Sequence, residues 1–277
     1  MPYAAIMVYV DTSSHAAARV GLACDIAAEH SATVIGVSAS VPLMPVAAPS
    51  RFGPLAGATN LAQEEGAEAD LRCAERCFRQ VVSQRGCRWE WRSSLDNPGH
   101  FLVHEARAAD LIVVGQKMWD LSPQHRADPA EILREVGRPI LMVPPSTTIS
   151  PVGTNAVVAW KDSREARRAV LDALPLLAMS KVVWVVDVVP ETLRETVRSQ
   201  VSDVTAFLGR HGIKAQAMIE PDDDGPLIEG LLAVASQKQA GLIVMGGQSH
   251  ARLHEWTFGS ATHTMLKKSP VCLLLSN

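Results

Sequence analysis

Several absences narrow this chain of 277 residues before any motif is read. No apolar run approaches the roughly 20 residues that a membrane-spanning helix needs. Neither sign of charge is in excess. Net charge is −3, with 13 basic and 16 acidic side chains in residues 1–150 and 13 of each in the rest. Neither half therefore offers a basic surface to nucleic acid or anionic lipid. Cysteine is sparse: five thiols, odd in number and scattered, read as free thiols in a reducing cytoplasm. Cys73 and Cys77 share a helix face and are not a C-x-x-C redox pair. The opening MPYAAIMVYVDTSS has no basic region, and its apolar run is too short for a signal peptide. Three motifs are also missing: a G-x-x-x-x-G-K-[ST] phosphate loop, a G-x-G-x-x-G fingerprint, and a G-x-S-x-G elbow around Ser260. The last absence makes Ser260 a poor candidate for an acyl-transfer nucleophile.

The composition that remains is that of an ordinary globular protein, 47% apolar and 20% charged. Its length suits two domains of about 140 residues. Ala5–Val10, Thr33–Ala39, Arg88–Ser93, Leu111–Val114 and Ile140–Val143 read as strands. Arg88–Ser93 is polar enough for a sheet edge. Ala16–Ala28, Leu61–Gln84 and Pro98–Ala108 read as helices, and Pro98 suits a first turn. Val41–Asn60, rich in Pro, Gly and Ala, reads as a loop. The alternation then restarts. Strands are expected at Asn155–Trp160, Val182–Val188, Lys214–Ile219, Leu242–Met245 and Val271–Leu275. Helices are expected at Ser163–Leu177, capped by Ser163 with Glu165 in the first turn, and at Glu191–Gly209, Gly225–Lys238 and Ala261–Lys268. Pro144–Thr154 has the composition of a linker.

The restart is a direct repeat. ADLIVVG at Ala109–Gly115 lines up with AGLIVMG at Ala240–Gly246, an offset of 131. GRPILMV at Gly137–Val143 lines up with KSPVCLL at the same offset. Near the start of each half the offset is 150, where VYVDTSS meets the region of AWKDSRE. The shortfall of 19 is about the length of the Val41–Asn60 loop. The expected fold is therefore α/β, with two tandem doubly wound, mostly parallel five-stranded sheets over residues 1–145 and 155–277. Ligands in such sheets bind beyond the carboxyl ends of the strands.

The richest stretch is Gly241–Asn277. Its first strand ends at Gly246 and Gly247, and Gly259-Ser260 opens the following helix, whose free N–H groups favour an anion. Gly246, two residues, Ser249, nine residues, then Gly259-Ser260 resembles the phosphate-loop signature of the universal stress proteins, G-x-x-G, nine residues, then G-S or G-T. The likeness runs over nearly the whole chain as two tandem copies, so the implied fold is that of the universal stress proteins, which is adenine nucleotide alpha hydrolase-like.

The resemblance implies an adenine nucleotide, ATP, ADP or AMP, held by Gly246, Gly247, Ser249, Gly259, Ser260 and Thr262. Ser249 stands where the family has its second glycine, and weaker binding is expected from it. In the family an Asp after the first strand meets the adenine side. Asp11 holds that position in the first copy and Lys161 in the second, where it would meet a phosphate or ribose oxygen. In the first copy Asp128-Pro129 replaces Gly259-Ser260, adding a negative charge and removing a donor, so that phosphate site reads as lost.

The pairs His100/His104 and His250/His254 have i, i+4 spacing but no third ligand at motif spacing, so solvated or packing histidines are expected and no metal beyond Mg2+ carried in with a nucleotide. Trp256 and Phe258 read as packing residues, and Asp222–Asp224 as a helix start. Three functional readings follow: a non-enzymatic stress-response protein using a nucleotide as sensor or structural ligand, a nucleotide-free scaffold acting through protein partners, and a weak ATPase. The third lacks an identifiable general base, since Lys161 is a poor one at neutral pH. The two copies are expected to mimic the family's dimer within one chain through Ile140–Val143 and Val271–Leu275, and the chain itself is open to homodimer formation.

Overall fold

The computed structural model describes residues 2–42, 53–116, 123–146, 149–221, 227–247 and 260–277. The chain divides into two compact units, Ala4–Asp128 and Pro129–Asn277 with Met1–Tyr3. The fold is α/β with a mostly parallel sheet.

In the first unit the elements are β1 (Ala5–Tyr9), α1 (Ala16–His30), β2 (Thr33–Ala39), α2 (Gly53–Arg85), β3 (Arg88–Ser94), α3 (Pro98–Glu105) and β4 (Leu111–Gly115). β1 pairs in parallel with β2 on one side and β4 on the other, and β3 lies outside β2. The strands form where apolar and β-branched residues run together, and all of Ile6, Val8, Val34, Val37, Ile112 and Val113 are fully buried. Each such side chain contributes about 1.5–3 kcal/mol relative to an exposed one. Phe78 of α2 sits against Trp89 and Trp91 of β3, with ring centroids 5.9 and 5.2 Å away. α3 starts as Asn97-Pro98 dictates: Asn97 Oδ1 accepts from the His100 N–H at 3.1 Å, and proline takes the first helical position.

One expectation fails here. The segment read as a loop through Asn60 is helical from Gly53, because Pro54 occupies a first-turn position where its missing N–H costs nothing. Residues 43–52 of the expected loop lie outside the described residues.

The second unit contains α4 (Pro129–Glu135), β5 (Ile140–Val143), β6 (Asn155–Ala159), α5 (Arg164–Leu177), β7 (Val183–Val189), α6 (Arg194–Arg210), β8 (Ala215–Pro221), α7 (Leu227–Gln237), β9 (Ala240–Gly246), α8 (Ser260–Lys268) and β10 (Cys272–Ser276). The strand order is β5-β10-β9-β6-β7-β8. All its pairings are parallel except one: β5 runs antiparallel to β10, with Leu141 opposite Leu274. The two apolar strands expected to meet do so, and the pairing hides both edges. β5, read from sequence as the last strand of the first half, groups with the second unit, and α4 goes with it.

Strand register fixes the correspondence between the halves. Ile6 pairs with Leu111 and Ala156 with Leu242, so the offset at the first strand is 150 when that at the fourth is 131. Asp11 and Lys161 therefore occupy equivalent positions. Among the described residues, no helix is long and apolar enough to cross a membrane.

Candidate functional site

The second unit gathers three chain segments at the carboxyl ends of its central strands. Ala159 pairs with Met245, so the segments leaving β6 and β9 are adjacent, and Gly246 lies opposite Ser276 at the end of β10. On one side, Gly246 carries the first turn of α5. A Cβ there would lie 2.8 Å from the Ala166 nitrogen and 2.9 Å from Glu165, too close for any side chain. Ser163 caps that turn, its Oγ accepting from the Ala166 N–H at 3.1 Å. On the other side, Gly247 donates its N–H to the Ser276 carbonyl at 2.8 Å. A Cβ on Gly247 would collide with the Asn277 side chain and reach Leu133 at 2.7 Å. Asn277 is itself fixed by its Nδ2 donating to the Leu133 carbonyl at 2.7 Å. Gly246 is thus demanded by the α5 backbone packed on it, whether or not a ligand is present, whereas Gly247 meets only the ends of two side chains.

The remaining sequence-predicted residues divide. Lys161 is exposed in the segment between β6 and α5. Ser260 begins α8, and Thr262, within its first turn, is 3% exposed and belongs to the packed interior rather than to an open surface. Ser249 and Gly259 lie outside the described residues, as do His250, His254, Trp256 and Phe258. His104, on α3, bonds through Nδ1 to Glu105. Among the described residues, no group of three or more His, Cys, Asp or Glu side chains is arranged to hold a metal.

One residue of this corner is missed by the sequence reading. Asp187 interrupts the apolar run of β7 and is 8% exposed. Burial pushes its carboxyl above the usual range, opposed by the Val188 N–H that donates to it and by the positive charge of Lys161. The Trp160 N–H donates to the Val186 carbonyl at 2.8 Å, which makes Trp160 and Asp187 neighbours on one face of the sheet. The signal was present in the sequence: a lone acid within VVWVVDVV.

The equivalent corner of the first unit is closed by its own side chains. Arg19, on α1, is 4% exposed and pairs with Asp11, which is 7% exposed, at 2.7 Å. Its Nε donates to the Tyr9 carbonyl at 2.8 Å. Asp11 Oδ1 accepts from the Ser13 N–H at 3.0 Å and from its hydroxyl at 2.5 Å. The Arg19 guanidinium lies directly over Gly115, the counterpart of Gly246. At the offset of 150 the counterpart of Arg19 is Ala169, and among the described residues it is the first turn of α5, at Glu165 and Ala166, that lies against Gly246.

No family model matches the chain, and no curated protein does. Solved structures do. A universal stress protein from Archaeoglobus fulgidus DSM 4304 aligns over 99% of this chain and 96% of its own, with 16% identity and a TM-score of 0.68. A functionally unknown protein from Pseudomonas aeruginosa PAO1 aligns over 98% of this chain and 92% of its own, with 16% identity and a TM-score of 0.60. Mostly parallel strands alternating with helices, and this likeness over almost the full length, establish that the chain has the universal stress protein fold.

Proposed function

We propose that this is a stress-response protein of the universal stress protein type, made of two such domains at 1–145 and 155–277. It binds one adenine nucleotide per chain, in the C-terminal half, as sensor or structural ligand. The observation that carries this reading is the contrast between the two corners. Arg19 covers Gly115 and satisfies Asp11, whereas the neighbours of Gly246 among the described residues are Glu165 and Ala166 of α5, and Ala169 stands at the sequence position of Arg19. Phosphates would lie over Gly246–Ser249 and Gly259–Ser260, at the N-terminus of α8. Lys161 supplies an ammonium for a phosphate or ribose oxygen. Asp187 supplies the carboxylate that Lys161 displaced from the position of Asp11, and suits an amino or hydroxyl donor. Mg2+ would enter only with the nucleotide's phosphates. The reading is one of binding, with at most slow hydrolysis, in a cytoplasmic protein.

A second reading is favoured by one specific observation: the α5 backbone packed on Gly246 accounts for that glycine without any ligand. On that reading the protein is a nucleotide-free scaffold working through protein partners. Denaturing freshly purified protein and chromatographing what it releases separates the two. The proposal expects an adenine nucleotide, at no more than one per chain. A release of none, together with no binding of added ATP or ADP, leaves the scaffold.

A further inference from the structure

We propose that the cleft between α5 and α6 is a second small-molecule site, for an amphipathic amine with an apolar body and an oxygen acceptor. The two halves differ in how these helices meet. In the first unit α1 packs along α2, but in the second α5 and α6 barely touch, and α6 lies instead over β7 and β8. The gap is a cavity of about 410 Å3, a volume in the range of small-molecule pockets. Trp160 lines it from the end of β6, with Val170 of α5 and Val204 and Phe207 of α6. The first half has Val10 at the position of Trp160.

Two features select the ligand's chemistry. Trp160 is 7% exposed, and its Nε1–H has no hydrogen-bond partner. A buried donor left without an acceptor is costly, and an oxygen on the occupant would satisfy it. At the rim, Arg167 is already neutralised by Asp162, at 2.5 Å. Asp203 also lines the cleft and has no ion-pair partner among the described residues. An uncompensated carboxylate beside two aromatic rings attracts a cation and repels an anion. The apolar walls take the body of the ligand, the indole N–H takes its oxygen, and Asp203 takes its ammonium.

The probe is tyramine, with 4-hydroxyphenylacetate as the matched anion of the same ring. The chain has six tryptophans, and the Trp160 indole signal in a 15N-labelled sample is assigned with Trp160→Phe. The proposal expects tyramine to shift that signal saturably, with no response to 4-hydroxyphenylacetate at equal concentration. Asp203→Lys, at an exposed helical position, should weaken the tyramine response by at least about tenfold. No shift with tyramine, equal shifts with both compounds, or an unchanged response in Asp203→Lys would each overturn it. A Trp160 signal that moves only with protein concentration would assign the cleft to a second copy of the chain and overturn it as well.

Discussion

Two charged residues decide the character of the two corners, and neither stands out in the sequence. Arg19 is a lone cation on an alanine-rich helix, a pattern that suggests a stem lying along the surface with its head in water. Instead it is buried against Asp11, Tyr9 and Gly115, and nothing in the spacing of α1 announces that. A buried ion pair is most costly when broken from one side. Arg19→Met should therefore lower stability by about 3 kcal/mol, read from urea unfolding, because Asp11 is left buried without its partner. Asp11→Asn added to Arg19→Met should recover a substantial part of that loss, and strictly additive effects would contradict the pairing. Asp187 makes the opposite prediction. Its carboxyl titrates higher in the folded state than in the unfolded chain, so its ionisation opposes folding. The wild type loses stability on this account as pH rises from the unfolded carboxylate range through the folded value. Asp187→Asn, which keeps an acceptor for the Val188 N–H, should be more stable than wild type at pH 7, with the gap closing below pH 4. A gap that widens on acidification would show that Asp187 is instead stabilised as the anion.

At the scale of elements, most of the fold was legible. The ten strands among the described residues fall within two residues of where the sequence places them, most of them in apolar runs, because a strand buried on both faces must be continuously apolar. Polar β3, read as an edge strand, lies outside β2. Ser163 and Pro98 mark helix starts, which the structure realises with side-chain caps from Ser163 and Asn97. The beginning of α2 was illegible, since glycine, proline and alanine suit both a loop and a helix's first turns. The meeting of β5 with β10 was legible in two apolar runs that close their halves, but not that it would group α4 and β5 with the second unit. The cap at Ser163 matters beyond α5, since the turn it holds is the one that lies on Gly246. Ser163→Ala should cost about 1 kcal/mol, a fall of roughly 2–4 °C in melting temperature for a chain of this size. An unchanged melting temperature would mean that packing on Gly246 alone sets that turn.

Over the whole molecule, the two units diverge at equivalent positions of their strands. The sequence showed part of it, Lys161 facing Asp11 and Asp128-Pro129 facing Gly259-Ser260. The rest lies in side chains that become neighbours only on folding: Arg19 over Gly115, Asp187 beside Trp160, and the open cleft between α5 and α6. These make the first corner self-satisfied and leave the second with a glycine tip, an ammonium and a carboxylate. The central claim is a single nucleotide site in the C-terminal half, and calorimetric titration of ATP and ADP tests it most directly. Wild type, Gly259→Asp and Asp11→Asn are compared, the last keeping the acceptor that Ser13 uses. Binding to wild type and Asp11→Asn at one site per chain, with micromolar affinity or about −8 kcal/mol, and its loss in Gly259→Asp, is the predicted result. Binding lost in Asp11→Asn and kept in Gly259→Asp would place the nucleotide in the first half and contradict the account.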